Sequence, residues 1–207
     1  MLGKDFTEEK SSIKEKRKKV NKEKEEKKVG SVDIYSMIGK ATIDKKTALA
    51  WAKFRAADFG TDINQVEKIV NYYYELAPKI NLNPTFVLVQ SAHETAFWSS
   101  EKFQKLNNPA GIKTSDATKD DFKDFQNFSS IKEGIEAHIS HVACYNGIES
   151  SLFTAPRTVK YKNLIFGKGA DLKSFCAIYA SDDFYEKKVK NLVDQANGHI
   201  NQPNKVK

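Results

Sequence analysis

The carboxylate with the clearest chemical prospects lies in the run Gln90-Ser91-Ala92-His93-Glu94-Thr95-Ala96-Phe97-Trp98. Between Pro84 and Trp98 the only ionisable side chains are His93 and Glu94, and a helix that is apolar on nearly all sides is one a protein buries. At helical spacing Glu94 shares its face with Val87, Gln90 and Ser91, and with Phe97 and Trp98 if the helix runs on. Desolvation among such neighbours disfavours the ionised carboxyl and raises its pKa, as a general acid working near neutral pH requires. The plain alternative is a glutamate at a frayed helix end, facing water. A zinc-protease helix is excluded, because Phe97 stands where the second histidine of His-Glu-x-x-His belongs.

Other groups with chemical potential are scattered. Asn107, Asn108 and Gly111 fall in a tight loop, whose amides could meet sugar hydroxyls or its own backbone. The stretch from Ser115 to Phe128 carries Asp116, Asp120, Asp121 and Asp124 among Phe122, Phe125 and Phe128, as a short helical turn or a ribbon. His138 and His141 lie on one helical stripe, but no third ligand supports them, so no metal is expected; a hydrogen-bonded or groove-lining histidine is. No cofactor motif is present. Asp182 and Asp183 read as helix caps, with Tyr179 and Tyr185 flanking them.

The elements that must position these groups are helical. Asp44 opens a helix through Leu49, Trp51, Phe54 and Ala57, and Asp62 caps a second through Val66, Ile69, Val70 and Tyr73. Asn83 as N-cap and Pro84 at the first helical position start the helix that carries Glu94. Ser130-Ile131-Lys132-Glu133 is a capping box before a helix that Gly147 can end. Lys160, Lys162, Gly167 and Gly169 read as a connection, Leu172 to Tyr179 as a short helix, and the last helix runs to Gly198. The domain reading is an N-terminal charged arm over 1–33, a catalytic domain over 34–199 and a tail over 200–207.

The chain has 207 residues, a net charge of +7 and a pI near 9.2. Residues 1 to 30 hold eleven Lys/Arg and seven Asp/Glu, so +4 of the charge sits there. Phe6, Ile13 and Val20 supply one heptad position only, which predicts a lone helix or disordered arm. A basic field favours polyanions such as anionic wall polymers; no nucleic-acid-binding signature appears. Cys144 and Cys176 form no metal or disulfide pattern and are expected as buried thiols. No stretch has the apolar length of a membrane span and no signal peptide is visible.

"NLNPTFVLVQSAHETAFWSS" followed by "NNPAGIK" resembles the bacterial glucosaminidases of glycoside hydrolase family 73, the mannosyl-glycoprotein endo-beta-N-acetylglucosaminidase-like family, closest to its clostridial and phage branch. "DFKDFQNFSSIKEGIEAHISHVACY" is similar to the family's segment after its small lobe, and "YASDDFYEKKV" to its Tyr-Ala-Thr-Asp-Pro-x-Tyr pattern. The three motifs stand in family order and the resemblance begins near Ile38. It implies a mainly α, lysozyme-like α+β fold with a reduced small lobe and a glycan-binding groove. It further implies cleavage of peptidoglycan after N-acetylglucosamine; separately, a monomer with no membrane insertion and no nucleic-acid partner is expected.

Under the resemblance Glu94 matches the catalytic acid and Tyr179 the tyrosine near the cleaved sugar, while Asp120 or Asp121 is the available second carboxylate. Gln90, Phe97, Asn107, Asn108, Gly111, His138, Asp182 and Tyr185 are the expected substrate-binding set. Asp183 replaces the family's proline, and the family's Thr-Glu-Tyr segment is missing. With no export signal visible, a wall substrate implies phage release, a virion-associated hydrolase or a piece of a secreted protein. A lytic transglycosylase, a muramidase and a non-catalytic wall-binding or virion protein are the rival readings.

Overall fold

The computed structural model describes residues 33–198; the expected arm at 1–33 and tail at 200–207 therefore lie essentially outside the described residues. Among the described residues the chain is mainly helical, as the lysozyme-like reading requires, with α1 Lys45–Ala57, α2 Ile63–Leu76, α3 Pro84–Glu94 and α4 Glu101–Leu106 in its first half. Then come α5 Ile131–Tyr145, α6 Pro156–Ile165, α7 Leu172–Tyr179 and α8 Tyr185–Gly198.

Helix α3 is the axis of this arrangement. Nine of its residues, from Pro84 to Ala92, are buried, and α2, α5 and α8 pack around it. Its start is locked twice over. Asn83 accepts from the Thr85 and Phe86 amides as the cap, and its own side chain donates to Ser36 O at 2.8 Å. The preceding turn pairs with the segment around Ile38, which bridges Leu82 and donates from Gly39 N to Asn81 O at 2.8 Å. Thr85 Oγ1 accepts from Thr42 N at 3.2 Å and sits 3.0 Å from Tyr74 Oη, tying the same end to α2. A helix so fixed at its base carries its last residue, Glu94, to a defined place.

The helix stops at Glu94 instead of continuing to Trp98. Ala96, Phe97 and Trp98 take left-handed conformations, with φ of 47°, 52° and 64°. Each non-glycine residue held there costs about 1–2 kcal/mol, so the surroundings must over-determine the turn. They do so by hydrogen bonds: Thr95 Oγ1 donates to Ser91 O at 2.7 Å and accepts from Trp98 N at 2.9 Å. Thr61 Oγ1 donates to Phe97 O and Gln104 Nε2 to Trp98 O, each at 2.7 Å. The turn buries Trp98 wholly and Phe97 nearly so.

The small lobe is reduced to a ribbon. Lys113 bridges Phe125, Thr114 N donates to Asp124 O at 2.8 Å and Gln126 N to Ile112 O at 2.8 Å. A single 3-10 turn, Phe122–Asp124, lies in its return arm, so the segment that read as either turn or ribbon contains both. A small second core of Ala110, Ile112, Phe128, Ala137 and Ala155 seats the ribbon on α5, apart from the main core.

Two expectations are corrected. Lys160 and Lys162 do not mark a connection but lie in α6, which begins with Pro156 at its first turn. Its apolar residues include exposed Val159 and Leu164, so its periodicity is weak. At Ser130 only half of the capping box forms: Ser130 Oγ accepts from Glu133 N at 3.2 Å, but the Glu133 carboxylate takes Ser129 N at 2.7 Å instead of the Ser130 amide. Both cysteines are buried free thiols.

Candidate active site

The end of α3 opens into a groove of ≈ 810 Å³. One wall is the loop Ala110–Ile112 and the ribbon; the other is built from α5, α6 and α7, through Tyr145, Arg157, Tyr161 and Tyr179. Glu94 lies in it, half-buried, and burial pushes its carboxyl up to about 7 against the opposing pull of the Tyr185 hydroxyl and of Lys102. At neutral pH the group is therefore divided between acid and anion. Its neighbour His93 points elsewhere, into a separate surface recess beside Phe59 and Lys188, and burial holds its imidazole below the ordinary range.

Tyr179 also lines the groove. Its O–H donates to Ala110 O at 3.1 Å, and its ring lies stacked 5.8 Å from that of Tyr185. With the proton committed to a carbonyl, what it offers a ligand is its oxygen lone pairs. Tyr185 is buried, not groove-lining as expected: its hydroxyl donates to Glu94 Oε1 and accepts from Gln90 Nε2 at 3.0 Å.

Several residues expected to contact sugar are engaged within the protein, although Asn108 also lines the groove. Gln90 and His138 have no exposed surface and bond each other, so neither can reach a sugar. Phe97 is turned into the core by the left-handed turn, 5.6 Å from Trp51 and 5.2 Å from Phe59. Asn108 spends its amide on the loop: Nδ2 donates to Ile112 O at 2.7 Å and Gln126 O at 2.9 Å, while Oδ1 accepts from Ile112 N at 2.9 Å. Asn107, the left-handed cap of α4 at φ 51°, donates to Phe128 O at 2.9 Å. Asp182 caps the start of α8 by accepting from Phe184 N at 2.9 Å and pairs with Lys188 at 2.6 Å. Gly111, at φ 60°, does reach the groove, as backbone.

Three carboxylates line the groove among the described residues: Glu94, Glu101 and Asp120. Asp120 is well exposed and paired with Lys113 at 2.7 Å, which holds its carboxyl below the ordinary range. Glu101 pairs with Lys105 at 2.6 Å. Asp121 is exposed and does not line the groove. Glu94 is the one whose carboxyl burial raises.

Of the other groove residues, Lys102 and Arg157 were not singled out by sequence, whereas His141 was. Lys102 hangs over the Phe125 ring at 3.5 Å, near enough to Glu94 to lower its pKa. Arg157 donates to Thr114 O and Ala117 O at 3.2 Å each and lies 4.8 Å from the Tyr161 ring centre, tying the ribbon to α6. It is one of three arginines in a lysine-rich chain, and that scarcity was the available signal. His141 bonds Thr158 Oγ1 at 2.9 Å, and burial with Arg157 nearby lowers it to about 4.

The family model described as "Glucosaminidase: Mannosyl-glycoprotein endo-beta-N-acetylglucosaminidase" matches residues 70–198, from α2 to the end of α8. No curated protein and no solved structure matches the chain.

Proposed function

Because the chain belongs to the glucosaminidase family, whose domain is that of a glycosidase acting on peptidoglycan, we propose that it is an endo-β-N-acetylglucosaminidase cutting the glycan strand after N-acetylglucosamine, with Glu94 as general acid. The observation that carries this reading is a single half-buried carboxyl, raised to about 7, lining a groove of ≈ 810 Å³. A cell-wall substrate places the action outside the membrane, and none of the described helices is long and apolar enough to cross one. Release by a phage, carriage on a virion and secretion within a longer protein all fit that site of action. The basic charge suits anionic wall polymers as a further partner.

Glycosidic cleavage needs a proton for the leaving oxygen and support for the oxocarbenium-like carbon. Glu94 supplies the proton. With Glu101 and Asp120 both held in lysine pairs, the support favoured is the substrate's own 2-acetamido group. Its carbonyl oxygen attacks the anomeric carbon as the bond to the leaving oxygen breaks. The lone pairs of Tyr179 Oη are suited to accept the acetamido N–H and so aim that oxygen. Glu94, now an anion, takes a proton from the water that opens the resulting ring. A second reading gives Asp120, the more exposed of the groove's carboxylates, the task of activating water directly, with Asp121 less well placed for it.

The two routes leave opposite anomers. Proton NMR of the first-formed reducing end distinguishes retention, for acetamido participation, from inversion, for water activated by a carboxylate. Release of reducing ends from purified peptidoglycan by the wild type and by Glu94→Gln tests the acid itself. A variant as active as the wild type would dismiss Glu94 from that role.

A further inference from the structure

Behind Glu94 runs an unbroken line of buried hydrogen bonds drawn from four helices. Tyr73 Oη of α2 lies 2.7 Å from His138 Nδ1 of α5. His138 Nε2 meets Gln90 Oε1 of α3. Gln90 Nε2 donates to Tyr185 Oη of α8 at 3.0 Å, and Tyr185 donates to Glu94 Oε1. Tyr73, Gln90 and His138 have no solvent exposure at all.

Chemistry fixes the direction of this line. A carboxamide oxygen only accepts, so His138 carries its proton on Nε2, and Nδ1 must then accept from the Tyr73 O–H. Every link donates towards Glu94. The other neutral tautomer of His138 would reverse the sequence. Its bare Nε2 would draw the Gln90 amide NH2, the carboxamide would turn its oxygen to Tyr185, and the Tyr185 proton would go to Gln90 in place of Glu94.

We propose that Tyr73, His138 and Gln90 are positioning residues, which fix one tautomer at His138 and thereby commit the Tyr185 hydroxyl to the Glu94 carboxyl. The assignment rests on the reading of Glu94 as the acid. It explains why hydrogen-bonded polar groups stand where apolar ones of the same shape would pack about as well. Burial keeps His138 neutral, down at about 3, so the line does not switch across ordinary pH. The titratable groups facing Glu94 itself are Tyr185 from α8, Tyr179 from α7 and Lys102 from α4. Of these Tyr185 gives Glu94 its hydrogen bond, at the end of the line, while Gln90 within the line also stands against Tyr179.

The test follows the Glu94 pKa by two routes in the full chain: the alkaline limb of kcat/KM on peptidoglycan, and 13C NMR titration of the Glu94 carboxyl. A hydrogen bond to the anion lowers a carboxyl pKa, so weakening it moves the limb upward. Tyr185→Phe should raise both readouts by roughly one unit, and Tyr73→Phe, three bonds away, by about half a unit with kcat reduced and KM little changed. Tyr74→Phe, on the same helix but bonded to Ile43 O and 3.0 Å from Thr85 Oγ1 at the opposite end of α3 from Glu94, is the control that lowers stability without breaking the line. His138→Leu should shift the limb like Tyr73→Phe, whereas His138→Gln, whose amide nitrogen can replace Nε2, should restore it. A limb unmoved in Tyr73→Phe and His138→Leu while their Tm falls as in Tyr74→Phe overturns the assignment, as does failure of both to fold, which would make the line a packing device. A wild type that cleaves no peptidoglycan would contradict the functional reading instead, and the NMR titration would still judge the line.

Discussion

Replacing Glu94 by glutamine should stabilise the protein, and only above a defined pH. The carboxyl is held at about 7 against an ordinary 4.5, chiefly by desolvation. A group whose folded pKa is raised binds its proton more tightly in the folded state, so its contribution to stability is complete below the unfolded value. That contribution is lost as pH rises through the folded value. The window runs from 4.5 to about 7, and a shift of that size corresponds to roughly 3 kcal/mol. Glutamine keeps the shape and the oxygen that accepts from Tyr185 but carries no charge to desolvate. Urea unfolding of wild type and Glu94→Gln at intervals from pH 4 to pH 8.5 gives the difference directly. Carboxyls held low by exposed partners, such as Glu67 with Lys53 and Asp182 with Lys188, are common to both proteins and cancel. The two curves should coincide near pH 4 and separate through the window, the variant ending about 3 kcal/mol more stable. A difference that is constant with pH would refute the buried-acid reasoning, whatever its size.

Four further outcomes follow from the same geometry. Gly134→Ala ought to be costly although alanine favours helices, because its Cβ would stand 2.0 Å from the Asn107 carbonyl oxygen and 3.1 Å from Pro109 Cδ. Overpacking of this kind costs about 1–3 kcal/mol, and the groove loop it pushes should lower kcat; chemical denaturation and turnover read both. Asn108→Ala strips a wholly buried hub from Ile112 and Gln126, and a loss of roughly 2–4 kcal/mol is expected in urea unfolding. Arg157→Ala should speed hydrogen exchange at Thr114 and Gln126 amides in the ribbon while leaving α3 unchanged. Lys102→Met removes a cation that favours the Glu94 anion, so the alkaline limb of kcat/KM should move to higher pH, and more so at low salt.

The sequence disclosed those parts of this architecture that local chemistry governs. Asp44, Asp62 and Asn83 with Pro84 start their helices in place because a cap satisfies backbone amides two or three residues away. Glu94 was legible because so apolar a helix leaves a carboxylate nowhere dry to hide except a groove. The end of that helix was not legible. Three left-handed residues with no glycine among them are held by Gln104, six residues on, and by Thr61, distant in sequence, and the turn moved Phe97 from the expected groove into the core. Gln90 and His138 share this history: each is polar on a largely apolar stripe, and only their mutual contact, between residues 48 apart, joins them to the line of hydrogen bonds behind Glu94. Helix α6 escaped notice because its apolar residues Val159 and Leu164 face outward. The signal it did give, Pro156 at the first turn, is local and could have been read.

The central claim is that Glu94 gives its proton to the bond that follows N-acetylglucosamine. Purified peptidoglycan digested by the wild type and by Glu94→Gln, with the new chain ends identified by mass spectrometry, tests it most directly. The account predicts reducing-end N-acetylglucosamine from the wild type and no new ends from the variant. Anhydromuramic acid ends, reducing-end N-acetylmuramic acid, or undiminished cleavage by Glu94→Gln would contradict it.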